Sequence, residues 1–216
     1  MATPVKIIES NAIKHLFTRL RDKNTGTEKF VYYSNRLMRI LAEEGISELP
    51  HMKSTVETPC GQYDGIEIDE TNLIVVSIMR AGDSLLDAVR FCLPSVRIGK
   101  ILIQRNEATH EKEPILYYAK FPKDIAQRHV LLVDPMLASG GSSLCAIKCL
   151  LEQGVSEENI IFLNVISCPE GIERFQQEYP KVKIVTAAVD TFLNEKKYIV
   201  PGVGDWGDRF YGTTDI

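Results

Sequence analysis

The chain has no apolar run long enough to span a bilayer, no Asn-x-Ser/Thr sequon and no Cys-x-x-Cys pair. The first absence excludes a transmembrane helix. With no secretory leader pattern, a reducing, cytoplasmic setting is the expectation. The five cysteines, at 60, 92, 145, 149 and 168, are an odd and unclustered set. The four histidines are scattered as well, so a zinc site has no ligand group to build on. Cys145 and Cys149 share a helix face and read as small core residues. Basic residues are not in excess: the net charge is −4, which excludes a phosphate-tracking nucleic-acid surface and leaves only local phosphate binding. There is no Gly-x4-Gly-Lys-Ser/Thr sequence, so P-loop kinases have no anchor, and no Gly-x-Ser-x-Gly elbow for a serine hydrolase. Repeats and low-complexity segments are absent too.

What is present suits one α/β domain. The 216 residues, 44% of them hydrophobic, can bury a core of that size. Ile13, Leu16, Phe17 and Leu20 have helical spacing, and Leu37, Met38, Ile40 and Leu41 predict a second helix ending near Gly45. Residues 50–65 read as irregular. Strands are then expected at 73–78, 100–104, 130–134, 160–166 and 182–188, with helices over 83–93, 142–153 and 170–178. The strands are rich in Val, Ile and Leu without alternation, the pattern of strands covered on both faces. With helices between them, they predict an open parallel five-stranded sheet flanked by helices. Residues 105–122 break this rhythm and predict a β-hairpin arm or flap.

The segment His129-Val-Leu-Leu-Val-Asp-Pro-Met-Leu-Ala-Ser-Gly-Gly-Ser-Ser143 is the most informative in the chain. A strand ends on Asp134 and breaks at Pro135 into a loop of small residues. Gly140 and Gly141 let the backbone come close to a ligand, and free N–H groups at a helix start favour an anion. Asp134 can accept from sugar hydroxyls, so the pair of features suggests a ligand carrying ribose and phosphate. Packing alone would give a strand-to-helix turn with Ser142 as N-cap. In an open parallel sheet, ligands bind beyond the carboxyl ends of the strands. Here two other strands run into Arg80-Ala81-Gly82 and Gln104-Arg105. Arginines at such ends suit a polyanion gripped bidentately.

Near the C-terminus, Gly202-x-Gly204-x-x-Gly207 matches the dinucleotide fingerprint in spacing only, since no βαβ unit can follow it. Glycines this dense predict a loop that offers backbone N–H and C=O groups to a flat ligand. The packing alternative is a closing turn that seats Trp206 and Phe210 on the core.

Four segments together resemble the uracil phosphoribosyltransferases: Ile78-Met-Arg-Ala-Gly82, Ile98 through Arg105, Val133 through Ser142, and Tyr198 through Arg209. Weaker similarity runs through Pro169-Glu-Gly-Ile172 and Leu20-Arg-Asp-Lys23. The resemblance implies a type I phosphoribosyltransferase fold with a β-hairpin arm and a C-terminal base-binding hood. It also implies one domain over 1–216, with N-terminal helices at about 9–45, a core at about 70–188 and a uracil-binding segment at about 189–216. The implied reaction joins uracil to 5-phosphoribosyl 1-pyrophosphate, with Mg²⁺, to give UMP and pyrophosphate.

By the same resemblance Asp134, Pro135, Met136, Leu137, Ala138, Ser139, Gly140, Gly141 and Ser142 would hold the 5-phosphate and ribose. Arg80 and Arg105 would meet the pyrophosphate, and Asp205 the ribosyl donor; these three are the candidate catalytic residues. Ile199, Gly204, Asp205 and Trp206 would hold uracil. No protein metal ligand is implied. A homodimer or homotetramer is expected, with GTP as an effector in some relatives. The sequence departs from the family pattern modestly: Ser139 stands where Thr is common, and Trp206 where Ala or Phe is usual. A second reading keeps the scaffold and drops turnover, as a nucleotide-sensing regulator.

Overall fold

The computed structural model describes residues 5–105 and 114–213, apart from the side chain of Arg105. The chain opens with β1 (Lys6–Ile7), α1 (Asn11–Arg21) and α2 (Thr27–Ile46), followed by β2 (His51–Thr58) and β3 (Gly61–Ile68). The central part runs β4 (Leu73–Met79), α3 (Gly82–Cys92), β5 (Arg97–Arg105), β6 (Pro114–Lys120), β7 (His129–Val133), β8 (Met136–Leu137) and α4 (Gly141–Glu152). It closes with β9 (Ile160–Asn164), β10 (Ile166–Ser167), α5 (Pro169–Glu178), β11 (Lys183–Thr186), β12 (Phe192–Leu193), β13 (Ile199–Val200) and α6 (Trp206–Tyr211).

The five expected strands are β4, β5, β7, β9 and β11, and their mutual pairings are parallel. The main sheet nevertheless has seven strands, in the order β1-β11-β9-β7-β4-β5-β6, which corrects the expected five. Both additions are edges. β1 is two residues long, too short to leave a periodic signal, and pairs parallel with β11. β6 returns antiparallel to β5 and places the expected arm on the sheet edge; residues 106–113 of that arm lie outside the described residues.

The freestanding hairpin is elsewhere. β2 and β3 form their own two-stranded antiparallel sheet where the sequence read as irregular. Nearly every residue in it is exposed on both faces, so the buried-face alternation that normally betrays a strand is missing.

Successive strand residues alternate between two cores, as the pleat requires. Leu73, Val75, Leu131, Val133, Leu163 and Val185 join Leu16, Phe17, Leu37, Met38, Leu41 and Leu85 on the face covered by α1, α2 and α3. Ile74, Val76, Leu132, Phe162 and Ile184 join Leu144, Ile147, Leu150 and Phe175 on the face covered by α4 and α5. Ile40, expected on the core face of α2, is 36% exposed. Because β4 lies between β7 and β5, the segments that follow these strands leave the sheet side by side. That placement builds the site.

Candidate active site

A cavity of about 940 Å³ opens where those segments emerge. Arg80 lines it from the end of β4, Gln104 from β5, and Asp134 from the end of β7. The loop after β7 contributes Met136, Ala138, Ser139, Gly140, Gly141 and Ser142. The C-terminal segment closes the other side with Ile199, Gly204, Asp205 and Trp206. One cavity therefore gathers most of the residues singled out from sequence, drawn from segments up to 127 positions apart (Arg80 to Gly207).

Local geometry explains the cradle. Gly140 is the N-cap of α4 with φ 78°, a left-handed conformation that costs glycine little. It takes the capping position that packing considerations gave to Ser142. No side chain caps α4, so its first-turn N–H groups stand at the cavity wall, where helix geometry favours an anion. The Met136 N–H donates to Asp134 Oδ1 at 3.2 Å, which turns the chain sharply at the strand end and keeps the carboxylate at the cavity.

Pro135 and Leu137 do not line the cavity. Pro135 O accepts from the Val165 and Ile166 N–H groups, both at 3.0 Å, and Leu137 is fully buried in the β8–β10 pair. These two residues fasten the loop from behind, because alternate residues of a short strand face opposite ways. Side-chain contacts of Arg105 lie outside the described residues; its backbone ends β5.

Arg80 is already engaged. Its guanidinium donates to Asp208 Oδ1 at 2.6 Å and to Thr213 Oγ1 at 2.9 Å. The Tyr211 ring lies 5.6 Å from the same group, and the Tyr211 hydroxyl donates to Arg80 O at 3.2 Å. Thr213 and Arg80 hold the Asp208 carboxyl below the ordinary carboxylate range. A guanidinium carries five N–H donors, so these contacts leave others for a ligand in the cavity. The turn bearing Arg80 is tied down by Asp83, which accepts from Ser77 Oγ at 2.6 Å and pairs with Lys100.

Across the cavity, the glycine loop of the C-terminal segment hangs from a part-buried ion pair. Arg21 donates to both oxygens of Asp190, at 2.7 and 2.6 Å, and to Gly202 O at 2.9 Å. The Gly202 N–H donates back to Asp190 Oδ2 at 2.7 Å. Arg209 grips Val203 O at 2.7 Å and the α1–α2 connection through Asp22 O at 2.9 Å, stacked 4.3 Å from the Phe30 ring. Trp206 points away from the cavity. The residue is 1% exposed, and its indole donates to Ser84 Oγ at 3.0 Å and meets Phe30 edge to face. Asp205 caps α6, accepting from the Asp208 N–H at 2.9 Å, and still lines the cavity.

Sequence reasoning missed Lys196 and Lys197, which reach the cavity with Tyr198, the first residue of the C-terminal segment, from the turn between β12 and β13. Asn194 fixes that turn by accepting from the Lys196 and Tyr198 N–H groups, both at 3.0 Å. The available signal was Asn194 followed closely by paired lysines, a turn former beside positive charge.

Among the described residues no group of three or more His, Cys, Asp or Glu side chains could hold a metal alone. Among the described residues, Asp134 and Asp205 are the carboxylates at the cavity. Such a set suits Mg²⁺ delivered by phosphates and supported by one or two carboxylates, not an all-protein cage.

The uracil phosphoribosyltransferase family model matches residues 7–213. Uracil phosphoribosyltransferase 1 of Schizosaccharomyces pombe is 48% identical over 95% of this chain and 93% of its own. Uracil phosphoribosyltransferase of Dictyostelium discoideum is 49% identical over 98% of this chain and 97% of its own. The solved structure of the AQ2163 protein of Aquifex aeolicus superposes with a TM-score of 0.85 at 30% identity, covering 99% of this chain and 100% of that one. The chain belongs to the uracil phosphoribosyltransferase family.

Proposed function

We infer that the protein is a pyrimidine salvage enzyme that transfers the 5-phosphoribosyl group from 5-phosphoribosyl 1-pyrophosphate to N1 of uracil, giving UMP and pyrophosphate. The observation that carries this reading is the joint cavity. An uncapped helix start beside Asp134 faces a main-chain loop at Ile199 and Gly204–Trp206. One side suits a phosphate and ribose, the other a flat polar base.

In the reaction the C1–oxygen bond to pyrophosphate breaks, the N1–C1 bond forms, and the N1 proton leaves. Positive charge grows on the ribose and negative charge on the leaving group. Groups fixed in advance around that charge stabilise the transition state more than the ground state. Arg80 and Arg105 take the pyrophosphate; Asp134, Met136 and Ala138 through Ser142 hold the 5-phosphate and ribose, with Pro135 and Leu137 fastening the loop from behind; Asp205 faces the donor. Mg²⁺, when bound, would neutralise pyrophosphate charge, and Asp134 and Asp205 are the cavity carboxylates that would support it. Uracil offers an acceptor at O4 and a donor at N3, and cytosine reverses both. A rigid main-chain N–H and C=O would be left unpaired against cytosine, which can discriminate by roughly 10⁴-fold or more.

The same reading makes the chain one phosphoribosyltransferase unit in a homodimer or homotetramer. Exposed Met52, Val56, Tyr63 and Ile66 on the β2–β3 hairpin support an interface between copies. GTP stays in this reading as an effector, and the five free thiols fit a reducing cytoplasm.

The test mixes protein, Mg²⁺ and donor with uracil or cytosine and follows nucleotide formation. UMP from uracil, with little CMP from cytosine, is expected. Tight donor binding without pyrophosphate release would replace the enzyme with the nucleotide-sensing regulator.

A further inference from the structure

We propose that the segment from Cys168 to Arg174, at the start of α5, positions both substrates without touching either. The idea rests on the transferase reading above and extends it to residues outside the cavity.

On the donor side, three successive carbonyls of the loop are held by this segment. The Cys168 N–H donates to Leu137 O at 3.2 Å. The Cys168 thiol donates to Ala138 O at 3.2 Å, and Arg174 Nη1 donates to Ser139 O at 3.3 Å. In a trans peptide the C=O and the following N–H point in opposite directions. Drawing these carbonyls toward α5 therefore turns the N–H groups of Ala138, Ser139 and Gly140 away from it. Those three residues line the cavity. An array of amides facing one way is an anion-binding nest.

The approach is close enough to dictate a residue. A Cβ at Gly171 would lie 2.2 Å from Ala138 O and 2.9 Å from Leu137 O, so only glycine lets α5 reach the loop. Burial pushes the Cys168 thiol up to about 11, so it stays protonated and able to donate.

On the base side, Glu170 Oε1 accepts from the Leu193 N–H at 2.9 Å. Leu193 pairs with Ile199 across the β12–β13 ladder, and Ile199 lines the cavity beside the glycine loop. The N-cap and first two turns of α5 thus set the amide direction of the donor loop with Cys168 and Arg174 and the height of the base hairpin with Glu170. None of these side chains is in the cavity wall.

Steady-state kinetics on the full chain, with each substrate varied in turn, test the assignment. Arg174→Ala should raise the donor KM about three- to ten-fold, the scale of one ordinary, solvent-exposed hydrogen bond, and leave the uracil KM within about two-fold. Glu170→Ala should do the reverse. Glu170→Gln, which keeps the acceptor oxygen, should restore the uracil KM. Arg174 also pairs with Glu178 at 3.4 Å, so Glu178→Ala is the control and should change neither KM. Wild-type KM values in both alanine variants, or a parallel rise in both KMs with a lower Tm, would reduce the segment to ordinary helix packing and overturn the proposal. A wild-type protein that forms no UMP takes down the transferase reading and this proposal together. A wild type that turns over with unsplit variants takes down this proposal alone.

Discussion

Replacing Gly141 by Asp should move stability and donor binding in opposite directions. A Cβ at Gly141 meets nothing closer than Pro114 Cγ at 3.8 Å, and no left-handed φ is required there. The fold therefore accepts the side chain. It sits in the first turn of α4, a helix whose start has no side-chain cap and no acidic residue. A carboxylate at such a helix start adds about 0.3–1 kcal/mol through the helix dipole. The same carboxylate occupies the cradle assigned to the 5-phosphate. Two unit charges about 4 Å apart repel by ~4 kcal/mol at an effective dielectric of 20, which corresponds to a loss of roughly 10³-fold in donor affinity. Calorimetric titration of the donor, alongside thermal unfolding of the free protein, reads both effects. Donor affinity within about three-fold of wild type, by the same arithmetic, would mean that the helix start is not the phosphate site. A lower Tm would mean that the space at Gly141 is not open.

Three further outcomes follow from the geometry. Trp206→Ala should cost about 3–5 kcal/mol in chemical denaturation followed by circular dichroism, as for other large buried aromatics; Trp206→Phe should keep the uracil KM, since the indole faces Ser84 and Phe30 rather than the cavity. Asp190→Ala should raise the uracil KM more than the donor KM and cost about 2–3 kcal/mol, below the full burial penalty because the Arg21 side chain is 26% exposed and can rehydrate; equal shifts in both KMs would argue against its hold on Gly202. Asp124 is bridged by Arg97 and Arg128, whose hydrogen bonds pull its carboxyl down to about 2. Since its folded value lies below the unfolded one, the stabilisation is present above the ordinary carboxylate value near 3.8 and fades as pH falls through about 2. The Tm values of wild type and Asp124→Asn should therefore differ at neutral pH and converge in that acid window; a constant gap would contradict it.

β4, β7, β9 and most of β11 were readable because they are covered on both faces and so are written as apolar runs, whereas β5, with Lys100 and Gln104 inside it, was betrayed only by its short Ile101-Leu102-Ile103 core. β1 and the β2–β3 hairpin were not, since two residues carry no period and an exposed ladder carries no burial pattern. At the site, glycine and an acid at a strand end advertised the loop that lines the cavity after β7, because few other residues permit that backbone. The partners of Arg80 were hidden. Asp208 lies 128 positions away, and only the folded chain brings a short helix against the end of β4. Trp206 shows the same limit: its position in the motif could be read, but the direction of its side chain depends on Ser84 and Phe30.

That direction has a consequence for how base preference can change. If selectivity is written in peptide groups while the indole above them is committed to the interior, point substitutions along this loop have little grip on which pyrimidine is accepted. A new preference would call for a different path of the chain itself, by insertion or deletion between Pro201 and Asp205. Exchanging the aromatic at 206 would register first as a weaker protein, with its choice of base intact.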